Sequence, residues 1–462
     1  MIPEPLSDEQ SLARFGYRQD LKRSLGYFSS FALSFSIISV TTGLFANYGA
    51  GLRTAGPAFI WTWLIVGAGQ LLVALVFSRL ATAIPLSGYA YNWTRHLAGQ
   101  GLAWWAGWLM IVQFLTGMPG VCYALASYLV PYLGLNPSNR NVVIATVLVL
   151  AAIALLNHYG IRLVSLVNNV SVGAEIFGTV LVGLLLLAVA LIRRTNSVGF
   201  LFIHPGQAGG FAYLSAFGFS SLMSAWTLTG FEGAANVAEE THTPGLHVPR
   251  AIVFSEISSV VLGFLVLVGF TLAIPSLDAV TNNPTPLLAI ISHYFPPVFT
   301  HATMALVFVS IFASALANLT TLTRMVWAMA RDHQLPASRW LARVSGHRVP
   351  ANAIWAVTCL SIVFVVWAKV EVVITGIATL AGYAAYGLVL FAALRNPGRV
   401  KLDGSSEPFR ISRALCLAAL AWTVLLVAML SLPRQAWTNS LVALGAIAVG
   451  AAWFLFGLRR RG

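Results

Sequence analysis

The feature that most constrains this chain is a series of apolar runs, each close to the thickness of a bilayer. About 20 apolar residues span the hydrocarbon core. Runs near that length lie at 27–49, 57–77, 102–124, 142–157, 164–191, 212–232, 251–274, 298–322, 352–368, 371–394, 413–432 and 437–458. The expected fold class is therefore an all-α polytopic membrane protein with about 12 transmembrane helices. Composition agrees: 58% of the residues are hydrophobic and 9% charged, where a soluble domain carries about 25% charged residues.

A net charge of +13 could suggest a nucleic-acid partner. Its distribution argues for a membrane instead. With the N-terminus inside, all but six of the 27 Lys and Arg fall on one side; the six are Arg53, Arg140, Arg193, Arg194, Lys369 and Arg434. That asymmetry is the positive-inside rule. It places both termini in the cytoplasm of a multi-pass plasma-membrane protein, in a bacterium the inner membrane. The partners it implies are the lipid bilayer and anionic headgroups, with no nucleic acid. Residues 1–24 are polar and no short apolar segment precedes them, so a secretory signal is not expected. Cys122, Cys359 and Cys416 each lie inside an apolar run, against a disulfide framework.

Two runs are interrupted. The sixth continues into LMSAWTLTGFEGAANVAEETHTPGLHVPR, residues 222–250, with Thr227, Thr229 and Gly230 mid-run and Glu232 just after. A charge at that depth usually marks a substrate or ion pathway. The first run carries Ser39, Thr41, Thr42 and Gly43 near its midpoint. Plainer readings exist for both: a glycine kink with Glu232 hydrogen-bonded to a neighbour, and hydroxyls bonded back to the helix carbonyls. The pairing favours a site, because interrupted segments at matching places in two halves point to a transporter built on inverted repeats. Residues 25–192 would form the first half and 212–395 the second, giving a ten-helix core at 25–395. Around it lie a tail at 1–24, a linker at 396–412, two accessory helices at 413–458 and a basic end at 459–462.

After the second run, Pro85 and Gly88 end the helix in SRLATAIPLSGYAYNW, and Tyr89, Tyr91 and Trp93 suit an interfacial belt. NHYGIR at 157–162 reads as a short turn. TRMVWAMARDHQLP at 323–336 reads as an amphipathic exit carrying Arg324 and Arg331.

Together these stretches resemble the amino acid–polyamine–organocation (APC) transporter superfamily. SRLATAIPLSGYAY is similar to its E-L-A…P-x-S-G-G-x-Y loop, with Arg79 where Glu is usual. NHYGIR is similar to its N-x-x-G-[IV]-[RK] turn, GFEGAANVAEETHTPGLHVPRAI to its sixth-helix signature, and RMVWAMARDHQLP to its eighth-helix exit. SIISVTTGLF and VNNVSVGAE are most similar to the amino acid and choline branch. The resemblance implies the 5+5 inverted-repeat fold of sodium-coupled leucine transporters plus two C-terminal helices. It implies that the first break holds a substrate carboxylate on the amides of Thr41, Thr42 and Gly43. The second would hold the amine on carbonyls around Trp226 to Thr229, with Trp226 covering the substrate. Helix-end dipoles and open carbonyls suit a zwitterion.

Two acids are candidates for coupling or gating. Glu232 follows the sixth-run break; as a plain structural acceptor it would need no such role. Glu175 sits in VNNVSVGAEIFG with no base within a turn. A lysine stands at the matching place in several relatives that this chain resembles. A carboxyl there is costly when charged, so it could bind a proton, ligate a cation, serve as counter-ion to a cationic substrate, or stay neutral and hydrogen-bonded. H⁺ is favoured over Na⁺; a sodium site would draw oxygens from Ser39, Ser314 and Thr320. A core with two acids, and no base but Arg324 near one end, favours amines, zwitterions or quaternary cations. Trp226, Tyr383 and Tyr386 could add cation–π contact, although packing alone accounts for the tyrosines. The substrate-binding set is thus Ser39, Thr41, Thr42, Gly43, Trp226, Thr227, Thr229, Gly230 and Tyr383.

His158, His204, His242 and His247 show no metal-ligand spacing. His242 and His247 lie beside Glu239 and Glu240, which read as solvated or salt-bridged. Metal-protease, G-x-S-x-G and phosphate-loop motifs are absent, so no metal, cofactor or enzyme is expected. The expected function is a secondary active permease moving an amino acid or related amine by alternating access, its energy drawn from an ion gradient. A choline, polyamine or other organic-cation transporter, or a ligand sensor on the same fold, would need the same residues.

Overall fold

A computed structural model describes residues 8–204, 210–368, 371–396 and 411–458. The expected basic end at 459–462 and all but the edges of the 396–412 linker lie outside the described residues.

Each apolar run forms a helix. They are α1 (Tyr27–Ala55, interrupted), α2 (Pro57–Ala83), α3 (Gln100–Tyr132), α4 (Asn139–His158), α5 (Ile161–Arg193) and an interrupted α6 made of Phe211–Ser220, Leu222–Thr227 and Gly233–Asn236. Then come α7 (Pro244–Leu272), α8 (Pro297–Arg331), α9 (Ala351–Ala368), α10 (Glu371–Arg395), α11 (Arg413–Ser431) and α12, which begins at Trp437. Among the described residues, 10 helices are long and apolar enough to cross a membrane; α9 is shorter and α6 is broken. No strand forms there beyond an isolated bridge between Leu25 and Thr241. Large apolar side chains point outward around the bundle, Leu148, Phe177, Ile192 and Leu441 among them. A soluble monomer rarely exposes so much contiguous apolar surface; lipid covers it here.

The sequence explains both interruptions. In α1, Tyr27–Ile38 ends at Ser39, whose backbone turns to φ 33° and ψ 91°, and Val40–Ala55 restarts the helix. The Ser39 hydroxyl accepts from the Thr42 amide at 3.2 Å, so the residue that breaks the first half caps the second. In α6, Leu228 to Glu232 are unwound around Gly230 at φ +98°. A Cβ there would lie 2.1 Å from Ile37 Cγ2, so the position needs glycine for both conformation and space.

The two broken helices run antiparallel. Tyr27–Ile38 packs on Gly233–Asn236, and Val40–Ala55 packs on Leu222–Thr227, so the breaks meet. Gly43 lies against Thr227, where a Cβ would come within 1.9 Å of Oγ1. The freed backbone groups are buried in protein, as a bilayer requires. In α5, a π-helical turn at Ile176–Val180 directly follows Glu175.

Tyr89, Tyr91 and Trp93 are not an interfacial belt. They lie on a short helix, Tyr89–Ala98, between α2 and α3, and all three are fully buried. Packing on Phe77 and a bond to Glu232 draw Tyr89 inward.

Candidate functional site

At the first break, Glu175 reaches from α5 to the start of Val40–Ala55. Its Oε1 accepts from the Thr41 amide at 3.0 Å, and its Oε2 from the Ser310 hydroxyl of α8 at 3.3 Å. The carboxylate therefore joins α1, α5 and α8 at a helix N-terminus, where the dipole favours negative charge. Beside it the hydroxyls of Thr41 and Thr179 bond at 2.7 Å. The Thr42 amide bonds to Ser39 Oγ and the Gly43 amide to Ser39 O. Each of the three amides expected to hold a substrate carboxylate thus has an internal partner.

The second break is held by its own acid. Glu232 Oε2 accepts from the Gly230 amide at 3.1 Å, and Oε1 from the Tyr89 hydroxyl at 2.9 Å. Across the gap, Gln70 of α2 donates to the Leu228 carbonyl at 2.7 Å. The Thr229 hydroxyl donates to the Trp226 carbonyl, and Tyr383 of α10 to the Ala225 carbonyl at 3.2 Å. The carbonyls nearest the break are partly engaged, those of Trp226 and Leu228 included.

Between the breaks lies a narrow cavity with ≈ 20 Å³ open to the centre of a water molecule, room for about one water. It is lined by Thr42 of α1, Gln113 and Gly117 of α3, Trp226, Thr227 and Thr229 of α6, Asn318 of α8 and Ala378 of α10. Among the described residues, no Lys, Arg, Asp or Glu lines it. Among the sequence candidates, Thr42, Trp226, Thr227 and Thr229 face this space. Ser39, Thr41, Gly43, Gly230 and Tyr383 stand behind it, shaping the breaks. Of the oxygens weighed for sodium, the Thr320 hydroxyl donates to Asn157 of α4 at 2.8 Å, Ser39 Oγ accepts from Thr42, and Ser314 Oγ is buried with no hydrogen-bond partner among the described residues.

Gln113 and Asn318 carried no motif that would have marked them. Glu256 did carry a signal, a carboxylate in the middle of an apolar run. It is fully buried in α7, so the transmembrane core holds three acids where two were expected.

The end of the bundle that carries the N-terminal segment is closed by a polar seam. Arg324 is fully buried, not marginal, and grips Glu240 with two bonds of 3.1 and 3.0 Å. Arg331 does the same to Glu239 at 3.0 and 3.1 Å. Both acids are buried side chains of the α6 exit rather than solvated loop residues. The amides of Ser24 and Leu25 bond to the Glu240 carbonyl at 2.8 and 2.9 Å. Tyr17 donates to Asp332 at 2.9 Å, Tyr91 donates to it at 2.8 Å, and Arg95 pairs with it. Burial, then the Asp332 charge, pushes the Tyr17 phenol up to about 12, so it stays a donor. Among the described residues, no group of three metal-type ligands forms.

Comparison with known proteins places this architecture. The sequence profile of the amino acid permeases matches residues 25–453. The chain is 28% identical to the amino-acid permease BAT1 of Arabidopsis thaliana, across 99% of this chain and 96% of that protein. It is 28% identical to the BAT1 homolog of Oryza sativa subsp. japonica, across 91% and 87%. The thiamine transporter thi9 of Schizosaccharomyces pombe is 25% identical, across 84% and 74%. With a broken-helix pair at its centre and a family match over nearly its whole length, the chain belongs to the amino acid permease family of the APC superfamily.

Proposed function

We propose that the protein is a secondary active permease for an amino acid or related amine, working by alternating access as a proton symporter. The observation that carries this reading is the cavity between the two breaks, uncharged along its walls and flanked by the start of one half-helix and the end of another. A helix start offers amides to a carboxylate and a helix end offers carbonyls to an amine. Substrate entry then exchanges internal bonds for bonds to ligand: the amides of Thr41 to Gly43 turn to the carboxylate and the carbonyls of Trp226 to Thr229 to the amine. Trp226 closes over the substrate, and Thr227, Gly230, Ser39 and Tyr383 hold the breaks in shape.

Residues 25–192 and 212–395 act as the two rocking repeats, and 413–458 as accessory helices. The polar seam is the closed inner gate, on the cytoplasmic side of the plasma membrane, where both termini lie. Glu175 couples the proton. Adding a proton weakens its hold on the α1 amide and frees α1 to move against α5 and α8. Glu232 gates the second break.

The test is counterflow of labelled amino acid in proteoliposomes. Trans-stimulated uptake supports transport; saturable binding without counterflow makes the protein a sensor. A thermal-shift panel of amino acids, amines, polyamines and choline selects the label, because a ligand of the folded state raises apparent stability. A second reading, an organic cation as cargo, is favoured by the absence of basic residues around the cavity and by similarity to a thiamine transporter. Counterflow supported by choline or thiamine, and by no amino acid, selects it.

A further inference from the structure

Glu256 lies near the middle of α7, a 29-residue helix, and is fully buried. Neither carboxyl oxygen has a hydrogen-bond partner among the described residues. Two further buried oxygens nearby in sequence or register share that condition: Ser259 Oγ, one turn along α7, and Gln70 Oε1 on α2. The α2–α7 packing sets the register. A Cβ at Gly263 would meet Trp63, and one at Gly67 would meet Val260. The helices therefore run antiparallel, and one further turn brings Gln70 opposite Glu256. Gln70 in turn holds the Leu228 carbonyl at the α6 break. Glu232, on the other side of that break, interacts electrostatically with Glu256.

Among the described residues, no cation pairs with Glu256 or Glu232. The elements packed on α7 bring Arg79 from α2; Tyr27, Tyr48 and Arg53 from α1; Arg162, Glu175 and Arg193 from α5; and Glu232, Glu239 and Glu240 from α6 and its exit. The arginines stand toward helix ends, and Tyr48 is bonded to Thr271 at the far end of α7. Glu239 and Glu240 are consumed by Arg331 and Arg324. Glu175 is consumed at the first break. Glu232 and Tyr383 of α10 are the groups that interact electrostatically with Glu256.

We propose that Glu256 is a second proton-binding site of the transport core, distinct from Glu175 and coupled through Glu232 to the α6 break. Two buried carboxylates that feel each other and no cation do not both stay ionised, and their protons come off as a coupled pair. A proton on Glu256 also supplies the O–H that a facing acceptor such as Gln70 Oε1 lacks. The step forms one O–H bond on Glu256 with a proton taken from water at one face. It breaks that bond when the proton leaves to water at the other face. Substrate bonds are untouched and nothing is oxidised or reduced. Because Gln70 and Glu232 both hold the unwound stretch, unwinding or rewinding it changes the contacts of the proton site.

The proposal's role in the cycle rests on the secondary-transporter reading; the proton site itself does not, so the experiment reads it directly. Infrared difference spectra after a pH change would be recorded on reconstituted wild type, Glu256→Gln, Glu232→Gln and Glu175→Gln. Glu256→Gln is expected to lose a protonated-carboxyl band that Glu175→Gln retains, and Glu232→Gln to move the midpoint at which that band titrates. Uptake driven by a pH gradient should lose its accumulation in Glu256→Gln. A wild-type band that persists unchanged in Glu256→Gln overturns the proposal. If that variant does not fold, a hydrophobic carbodiimide decides on wild type: proton-dependent modification mapped to Glu256 supports the site, and none at any pH overturns it. Accumulation that follows sodium alone in wild type would instead remove proton coupling, and the infrared band would still answer for Glu256.

Discussion

At the α1 break the stabilising carboxylate arrives from another helix; at the α6 break it comes from the unwound stretch itself. Glu175 ties the start of Val40–Ala55 to α5 and α8. Glu232 folds back on the Gly230 amide and also accepts from the Tyr89 hydroxyl. A carboxylate on a partly buried helix N-terminus contributes up to about 2 kcal/mol. At the first break that energy depends on three helices keeping their places. At the second it is mostly local. The first break is therefore held by a carboxylate that ties it to two other helices, and the second by a carboxylate of its own stretch, with Gln70 of α2 and Tyr89 adding contacts from outside.

The largest expected effect comes from closing the point where the breaks meet. Gly43→Leu drives a side chain into Thr227, and Gly230→Leu into Ile37. Overpacking costs roughly 1–3 kcal/mol. Gly230 adds roughly 1–2 kcal/mol for a non-glycine residue held at positive φ. Both variants should insert and lose uptake to background, with Gly230→Leu the less thermostable in detergent. Wild-type uptake in both would separate the breaks from transport.

Neutralising the two acids sharpens the contrast. Glu175→Gln keeps an oxygen for the Thr41 amide but cannot change charge. Binding and exchange should persist while accumulation under a pH gradient disappears. Glu232→Gln keeps an acceptor for Gly230, and the Tyr89 hydroxyl can turn to accept from the amide nitrogen. Its accumulation should fall less. If Glu175→Gln still concentrates substrate with unchanged pH dependence, the inter-helix carboxylate is structural and coupling belongs to the α6 side. Concentration that tracks sodium at fixed pH would remove the proton from either break.

Most of the scaffold was legible, because hydrocarbon leaves so few options: twelve apolar runs had to be helices, and Ser39 and Gly230 stood in the two runs whose matching interruptions pointed to breaks. What sequence could not supply was facing. Tyr89, Tyr91 and Trp93 look interfacial by type, and only the chain's turn at Gly88 sends them inward. Glu239 and Glu240 read as solvated or salt-bridged, and the salt bridges form, but their partners Arg324 and Arg331, 84 and 92 residues away, are invisible along the chain. Glu175 was legible as an anomaly, but its landing on the Thr41 amide depends on α5 crossing the first break. Glu256 was in plain view and lost among its apolar neighbours. The five-residue π-helical turn after Glu175 left no compositional mark.

The smallest expected effect concerns Trp226, which belongs to the α6 side yet faces the cavity. Its ring sits near Gly117 of α3, where a Cβ would lie 3.7 Å from the indole nitrogen. No hydrogen bond of that nitrogen competes with a ligand for the ring's position among the described residues, so the side chain acts through its face and bulk. An aromatic face contributes about 0.5–1.5 kcal/mol beyond area burial. Trp226→Phe keeps that face and should weaken binding only slightly. Trp226→Ala removes it and should weaken binding by roughly fivefold to tenfold. Isothermal titration on the three purified proteins, with the ligand chosen by thermal shift, checks the order. Equal affinity in all three would remove Trp226 from the substrate and leave the α6 break contributing backbone alone. A loss in Trp226→Phe as large as in Trp226→Ala would point to the indole N–H, and the second break would then bind its ligand by a side-chain donor as well as by its carbonyls.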